Sequence, residues 1–285
     1  YIADIIYIID PSKDSTELII SNICRRNNSV NAVVMSRRFG HQAALIAGLD
    51  LCDSDIVIML DSDMQHPPHL ILSMLDAYEK GNFDVVQGVR IDDSQSNFFK
   101  KISSRLFYNL FEKLAGFSLK TGAADYRLLS RKVVKIFQMK LRERNQFLRG
   151  LVSWVGFNSF DIEFECNQRG GGKTNYSFLR LLAFASEGLF AFSKLPLRLS
   201  LFMGLLVAFI GFLYGISVVF IWIFWGVDIP GWSSLLIVGT LLGGIQLIVL
   251  GVIGEYIGYI FDEVKSRPIY IIDRAYGDKL ASHEN

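Results

Sequence analysis

The chain has 285 residues, of which 51% are hydrophobic and 20% are charged, and its 29 basic and 28 acidic residues leave a formal net charge of +1. This composition excludes a disordered chain, and the balanced charge gives no basic field that would attract nucleic acid. Two segments carry no charge, Leu199–Trp225 and Trp232–Gly254, whereas residues 1–198 resemble an ordinary globular protein. The composition therefore excludes both a purely soluble protein and a polytopic transporter, and it predicts one soluble domain followed by a small membrane region.

The first part of the chain alternates short apolar runs with segments of helical spacing. The predicted strands are Ile5–Ile9, Val30–Met35, Ile56–Leu60 and Phe83–Gly88, and the predicted helices are Thr16–Arg26, Gln42–Leu51 and a helix opened by Pro67-Pro68. The run Ile56–Leu60 is apolar on both faces, as in a central strand of a parallel sheet. Strands that alternate with helices indicate an α/β fold with a parallel sheet.

The middle of the chain contains further elements and two basic segments. We predict an amphipathic helix at Phe98–Leu114, a turn and strand at Thr121–Ser130, a helix at Arg142–Trp154 and a strand at Asp161–Cys166. That last strand leads into a glycine-rich basic loop, Arg169–Lys173.

The uncharged segments are long enough to cross a membrane. They contain 27 and 23 residues, and about 20 suffice to span the hydrocarbon core. A short turn, Gly226–Gly231, joins them into a hairpin. The preceding stretch, Phe178–Arg198, is apolar but interrupted by charges, which favours helices lying at the membrane surface, with ordinary core helices as the alternative.

Basic residues flank the outer ends of the hairpin. These residues are Lys194, Arg198, Lys265 and Arg267, and the turn between the spans has no Lys or Arg. By the positive-inside rule both flanks, and with them the large domain, face the cytoplasm. We therefore expect a multi-pass protein of the inner (plasma) membrane, with residues 255–285 as a cytoplasmic C-terminal tail.

An acidic motif follows the predicted strand Ile56–Leu60. Its sequence is Asp61-Ser62-Asp63-Met64-Gln65-His66-Pro67-Pro68. Ligands of α/β sheets bind beyond the carboxyl ends of the strands, so Asp61 and Asp63 can hold Mg²⁺ or Mn²⁺ against a diphosphate. The alternative is that both only cap the next helix. A zinc site at His66 and His69 is disfavoured because no third ligand is evident.

This motif resembles the D-A-D-L-Q-x-P-P segment of polyprenyl-phosphate glycosyltransferases, the dolichol-phosphate mannose synthase group of glycosyltransferase family two. Other segments agree in order along nearly the whole chain: Ile8–Thr16 resembles V-D-D-G-S-x-D-x-T, Ser36–Gly40 resembles S-R-N-F-G, Gly122–Leu129 resembles the D-Y/F-R-L strand, and Arg169–Tyr176 resembles R-x-x-G-x-S-K-Y. The two spans, with Gly254-Glu255-Tyr256 and Arg267-Pro268-Ile269-Tyr270, resemble bacterial bactoprenol glucosyltransferases.

The resemblance implies a GT-A fold, which is Rossmann-like with a mostly parallel sheet. It would occupy residues 1–177, followed by interfacial helices at 178–198, spans at 199–225 and 232–254, and the tail. The family's opening P-x-Y-N-E strand has no counterpart, so we expect the first few dozen residues to be missing from the sequence. Pro11 replaces a usual Gly, Arg38 replaces a usual Asn, and Asn175 stands near the expected Ser-Lys pair.

The resemblance also implies a reaction: a metal-dependent, inverting transfer of glucose from UDP-glucose to undecaprenyl phosphate, with Mg²⁺ or Mn²⁺. The lipid-linked sugar would serve cell-envelope glycosylation, such as modification of lipopolysaccharide O-antigen. Expected partners are a homo-oligomer, with a tetramer as one arrangement, and a flippase for the lipid-linked sugar. Mannose and aminoarabinose transferases remain alternatives.

Two other functions are less well supported. A processive polysaccharide synthase would carry a Q-x-x-R-W motif, but here Gly150 follows Gln146-Phe147-Leu148-Arg149. A non-catalytic membrane scaffold would explain the hairpin but not the acidic pair.

Site roles carried over from the family are residue-specific. Asp10 would contact the nucleoside base, Asp61 the ribose and diphosphate, Asp63 the metal together with Asp61, and Gln65 the donor sugar. Asp125 would orient the acceptor or sugar, or act as a base, and it forms the predicted catalytic set with Asp63 and Gln65. Strong base catalysis is not required, because a phosphate monoester is mostly anionic near neutral pH.

Four basic residues are candidates for the acceptor phosphate: Arg90, Arg105, Arg169 and Lys173. An arginine guanidinium can bind a phosphate through two parallel hydrogen bonds, which gives both charge and orientation.

Overall fold

The computed structural model describes residues 2–91, 122–144, 146–165, 193–225 and 231–280. It separates into two compact units, one formed by Tyr1–Arg180 with Ser266–Asn285 and the other by Leu181–Lys265. The predicted helix at Phe98–Leu114, the loop Arg169–Lys173, most of the turn Gly226–Gly231 and the interfacial region up to residue 192 lie outside the described residues.

The first unit contains two mixed sheets. Strands β1 (Ile5–Ile9), β2 (Val30–Met35) and β7 (Ile272–Tyr276) form a sheet in the order β1-β2-β7, with β1 parallel and β7 antiparallel to β2. Strands β3 (Ile56–Met59), β4 (Val85–Arg90), β5 (Ala123–Ser130) and β6 (Ser159–Phe164) form the other in the order β3-β5-β4-β6. The predicted α/β class is confirmed.

Strand β3 differs from its expected setting. Its apolar residues contact neighbours on both faces, as predicted, but among the described strands β3 stands at the end of its sheet and pairs antiparallel with β5. The apolar pattern measures burial and contains no information on strand direction. Strand β5 also runs antiparallel to β4, whereas β4 and β6 are parallel.

Five helices accompany these sheets in the described part of the unit: α1 (Thr16–Arg26), α2 (His41–Leu51), α3 (Leu70–Gly81), α4 (Arg131–Met139) and α5 (Leu148–Trp154). The predicted helix at Arg142–Trp154 is wrong in its first half, because helix α5 begins only at Leu148. Arg142 instead extends to helix α2, where its Nη1 donates to both carboxylate oxygens of Asp50 at 2.7 and 2.8 Å.

Helix α3 covers one face of the second sheet. Leu70 and Met74 of α3 pack against Val86 of β4 and against Tyr126 and Leu128 of β5. Neighbouring positions of a strand point to opposite faces. Residues 125 and 127 of β5 therefore lie on the face away from α3, which is the face where the candidate site is found.

The segment predicted as a C-terminal tail, 255–285, is built into both units. Its first part extends helix α7 (Trp232–Lys265), and its later part supplies strand β7. Ile271 accepts a hydrogen bond from the Ser36 N–H at 2.9 Å, and the Tyr270 hydroxyl donates to Asp50 Oδ2 at 2.9 Å. Burial and the adjacent Asp50 charge raise the pKa of Tyr270, so the hydroxyl stays protonated and donates.

The second unit is a helical hairpin. Helices α6 (Leu195–Trp225) and α7 contain 31 and 34 residues, and both are long and apolar enough to cross a membrane. Helix α6 begins four residues before the predicted span. The Ser193 hydroxyl caps it by accepting from the Leu195 N–H at 3.1 Å, and the Tyr256 hydroxyl of α7 donates to the Ser193 carbonyl at 2.6 Å.

The contact between Tyr270 and Asp50 predicts a measurable contribution to stability. Tyr270→Phe removes a hydrogen bond to a charged group and should lower the free energy of unfolding by about 1–2 kcal/mol. Urea unfolding of the detergent-solubilised protein, followed by tryptophan fluorescence, checks this.

Tyr78→Phe is the matched control, since the Tyr78 hydroxyl makes no hydrogen bond to any residue that the structure describes. Equal unfolding midpoints for the two variants would contradict the assigned role of Tyr270.

Candidate active site

The acidic motif forms a tight loop after β3. The Asp61 N–H donates to Nδ1 of His66 at 3.0 Å, and the Gln65 N–H donates to Oδ1 of Asp63 at 3.1 Å. Met64, between them, takes a left-handed conformation with φ 65°, which costs a non-glycine residue energy. The loop leaves Asp61 and Asp63 partly accessible, as a ligand-binding role requires.

His66 fixes the shape of this loop. Its buried ring stacks on Tyr126 with centroids 4.9 Å apart and meets the Phe164 ring edge-on at 5.8 Å. Burial lowers the pKa of His66, and the neighbouring carboxylates of Asp61 and Asp63 only partly oppose this shift. The neutral imidazole accepts at Nδ1, so its proton is assigned to Nε2. Through this contact His66 supports the conformation of the loop.

The most connected side chain of the site is Asp125 on β5, which is 2% exposed. Arg127 Nη2 donates to its Oδ1 at 2.8 Å, and Arg149 of α5 donates from Nε to Oδ1 at 3.2 Å and from Nη2 to Oδ2 at 2.9 Å. His41 of α2 places Nε2 3.2 Å from Oδ2. One buried carboxylate therefore joins a strand and two helices, and this set of four residues is called the Asp125 network below.

The network decides the charge of Asp125. Burial alone would raise the pKa of Asp125, but the hydrogen bonds from His41 and Arg149 and the charges of Arg149 and Arg127 outweigh it and hold the pKa well below its usual range. A carboxylate so stabilised is a poor proton acceptor near neutral pH. Of the two roles predicted for Asp125, the geometry favours orientation over proton abstraction.

Arg127 depends on Asp125 in turn. Arg127 has no exposed surface, and burial lowers its pKa to about 10, so it remains charged at neutral pH. Its Nη2 also donates to the Ala124 carbonyl at 3.0 Å, whereas its Nε and Nη1 lack partners among the described residues. Asp125 is thus the main compensation for a charge taken out of water.

His41 connects the network to the acidic loop. The same Nε2 that contacts Asp125 lies 3.5 Å from Oδ1 of Asp61. The hydrogen bond with Asp125 raises the pKa of His41 against the opposing effect of burial. His41, Arg127 and Arg149 were not among the site residues predicted from the sequence. The available signals were the Gly40-His41 start of a helix and the Arg of the D-Y-R-L strand.

The predicted nucleoside contact lies at the ends of β1 and β2. Asp10 Oδ1 accepts from the Phe39 N–H at 3.4 Å, and Arg38 Nε donates to the Pro11 carbonyl at 3.1 Å. Two departures from the family pattern, Pro11 and Arg38, therefore contact each other. The 36–40 loop, which contacts Asp10 through Phe39, leads directly into His41 of the Asp125 network.

Of the four predicted acceptor-binding cations, only Arg90 lies within the described residues. It is the exposed last residue of β4, and its N–H donates to the Gly122 carbonyl at 2.8 Å. Arg105, Arg169 and Lys173 lie outside the described residues, so the cluster stays a prediction.

The carboxylates of the acidic loop fit a metal ion that is also bound by the substrate. Within the described ranges, no three His, Cys, Asp or Glu residues are arranged to hold a metal ion. Asp61 and Asp63 offer two carboxylates, and Mg²⁺ is commonly held by one or two carboxylates together with substrate phosphates. A diphosphate would have to complete such a site.

The chain is similar to known glycosyltransferases over nearly its whole length. Residues 1–137 match the family described as Glycosyl transferase family 2. The chain is 38% identical over 274 residues to "Uncharacterized glycosyltransferase YkcC" of Bacillus subtilis (strain 168), covering 96% of this chain and 84% of the relative. It is 38% identical over 276 residues to "SfII prophage-derived bactoprenol glucosyl transferase" of Shigella flexneri, covering 97% and 89%. It is 37% identical over 274 residues to "Prophage bactoprenol glucosyl transferase homolog" of Escherichia coli (strain K12), covering 96% and 89%.

The Asp125 network predicts a large effect of a small substitution. Asp125→Asn keeps the size of the side chain but leaves the charge of Arg127 buried without its counter-ion, so the free energy of unfolding should fall by about 3 kcal/mol. Chemical denaturation of the purified protein measures this change.

The control is Asp76→Asn, which removes the partner of Lys80 in an exposed ion pair on α3 and should leave the unfolding midpoint nearly unchanged. Similar small effects at both positions would show that the network does not stabilise the unit.

Proposed function

The chain belongs to glycosyltransferase family 2, and from this premise we propose that it transfers glucose from UDP-glucose to a polyprenyl phosphate, with undecaprenyl phosphate as the acceptor. The observation that carries the proposal is the contact, through His41, between the acidic loop and the Asp125 network. The names of the bactoprenol glucosyl transferase relatives support the choice of glucose and of a polyprenyl carrier.

The proposed reaction is a single displacement. An oxygen of the lipid phosphate forms a bond to C1 of glucose while the bond from C1 to the β-phosphate oxygen breaks, and the electron pair leaves with UDP. The configuration at C1 inverts. No protein base is needed, because the attacking phosphate is already mostly ionised near neutral pH. This agrees with an Asp125 whose pKa is too low for proton abstraction.

The main difficulty of this reaction is charge, since an anionic acceptor approaches an anionic donor. The positive charge of Arg149 would reduce this repulsion. Its guanidinium is fixed by two hydrogen bonds to Asp125, while the side chain remains 39% exposed. A cation held in place before the substrate arrives stabilises developing charge without reorganisation. Asp61 and Asp63 would hold Mg²⁺ or Mn²⁺, which supplies neutralisation of the diphosphate when bound.

The lipid substrate requires a site at the membrane. A polyprenyl tail would expose much apolar surface if it left the bilayer, so its phosphate must be bound at headgroup depth. We assign this role to Arg90 together with Arg105, Arg169 and Lys173, whose basic segments flank the catalytic elements in the sequence.

Chain connectivity supports a cytoplasmic catalytic unit. The chain passes from the first unit into the hairpin and returns to the first unit as β7. If α6 and α7 each cross the bilayer once, both outer ends of the hairpin lie on the same side of the bilayer. The Lys and Arg residues at those ends favour the cytoplasmic side, which supports the proposed location in the inner (plasma) membrane.

Asp63→Ala tests the reaction and the assigned metal ligand together. Purified protein with Mg²⁺ or Mn²⁺, undecaprenyl phosphate and radiolabelled UDP-glucose should form a lipid-linked sugar, and GDP-mannose should not replace the donor. Asp63→Ala should reduce turnover by roughly 10²-fold or more, because charge on the leaving diphosphate is no longer neutralised.

The exposed Asp76→Ala serves as control and should keep wild-type turnover. Near-normal transfer by Asp63→Ala would remove Asp63 from the metal site. Absence of any lipid product from the wild-type protein with UDP-glucose would overturn the proposed donor or acceptor.

Cysteine labelling tests the topology. In a variant whose three native cysteines are replaced, Asp228→Cys between the spans should react with a membrane-impermeant maleimide in intact cells. Asp278→Cys, exposed after β7, should react only after the membrane is opened. Labelling of position 278 from outside would contradict the cytoplasmic placement.

A further inference from the structure

His41 occupies the first position of helix α2, directly after a glycine in a conformation that other residues rarely adopt. Gly40 has φ 96°, and this turn fixes the direction in which the helix leaves β2. The next residue, Gln42, accepts from the Leu148 N–H at 3.1 Å through its Oε1. The start of α2 is therefore attached to the start of α5, the helix that carries Arg149.

A single nitrogen of His41 faces two carboxylates. Nε2 lies 3.2 Å from Asp125 Oδ2 and 3.5 Å from Asp61 Oδ1. Since carboxylate oxygens only accept hydrogen bonds, Nε2 must carry the hydrogen. Asp125 has two arginines besides His41, whereas Asp61 belongs to a loop and is a third exposed. Without the shared donor, repulsion from Asp125 would turn the Asp61 carboxylate away.

We propose that His41 is a positioning residue for the donor: its Nε2–H, shared between Asp125 and Asp61, holds the Asp61 carboxylate in the orientation that binds the nucleoside diphosphate. Asp125, anchored by Arg127 and Arg149, is the fixed end of this link, and Asp61 is the adjustable end. His41 acts through Asp61, so its removal weakens binding of the donor and spares binding of the lipid acceptor.

This inference rests on the proposed function, and two variants separate the imidazole hydrogen bond from the bulk of the ring. His41→Phe keeps a ring of similar size and removes the hydrogen-bonding Nε2–H. His41→Gln can place an amide N–H near the position of Nε2. The matched control is His69→Phe, at an exposed histidine that precedes α3. His41→Ala replaces the Phe variant if that variant does not fold.

The experiment uses the full chain in detergent. It measures KM for UDP-glucose, KM for undecaprenyl phosphate, kcat, and the Kd of UDP with Mn²⁺ by calorimetry. His41→Phe should raise the donor KM and the UDP Kd about tenfold, as expected for a lost hydrogen bond to a charged group. The acceptor KM should stay within about twofold, and His41→Gln should recover most of the loss in donor binding.

Three results would overturn the inference: unchanged UDP binding in His41→Phe, equal losses in the Phe and Gln variants, or a loss confined to the acceptor KM. Failure of the proposed function gives a different result. The wild-type protein would then bind UDP without forming a lipid-linked sugar, and the UDP titrations would still decide the role of His41.

Discussion

The site depends on one buried carboxylate. Asp125 is stabilised by three donors that come from three elements, Arg127 on β5, Arg149 on α5 and His41 on α2. Loss of one partner of a buried ion pair strongly destabilises the folded protein, because the remaining charge cannot regain its hydration. The positions of two helices relative to the sheet are therefore tied to the charge of a single side chain, whose partners are in place before a substrate binds.

This arrangement suits transfer to an anionic acceptor. The proposed reaction requires positive charge near two phosphate groups and not removal of a proton, and the network would meet this requirement by fixing Arg149 while keeping Asp125 ionised. The same network reaches the acidic loop through His41, and the buried ring of His66 sets the shape of that loop. Family membership and the two apolar helices complete a consistent account of a membrane glycosyltransferase.

The sequence predicted correctly those elements whose own residues show a clear apolar run or helical spacing. Strand β2 and helix α1 have the predicted bounds, since one is buried throughout and the other has clear helical spacing. Strand β7 was missed because its sequence is half polar and its partner, β2, lies more than two hundred residues away. The acidic loop was found because its residues are adjacent in sequence, whereas His41 and Arg149 reach Asp125 only through folding. The roles of Arg105, Arg169 and Lys173 stay predictions, because these residues lie outside the described part of the chain.

In the proposed reaction Asp125 is a fixed, ionised element of a single-displacement site and does not act as a nucleophile. The anomeric configuration of the product tests it most directly, because a carboxylate nucleophile would require two displacements and retention. Nuclear magnetic resonance of the lipid-linked sugar formed from α-linked UDP-glucose should show a β-linked glucosyl phosphate. An α-linked product would contradict the account, because an in-line single displacement cannot retain the configuration at C1.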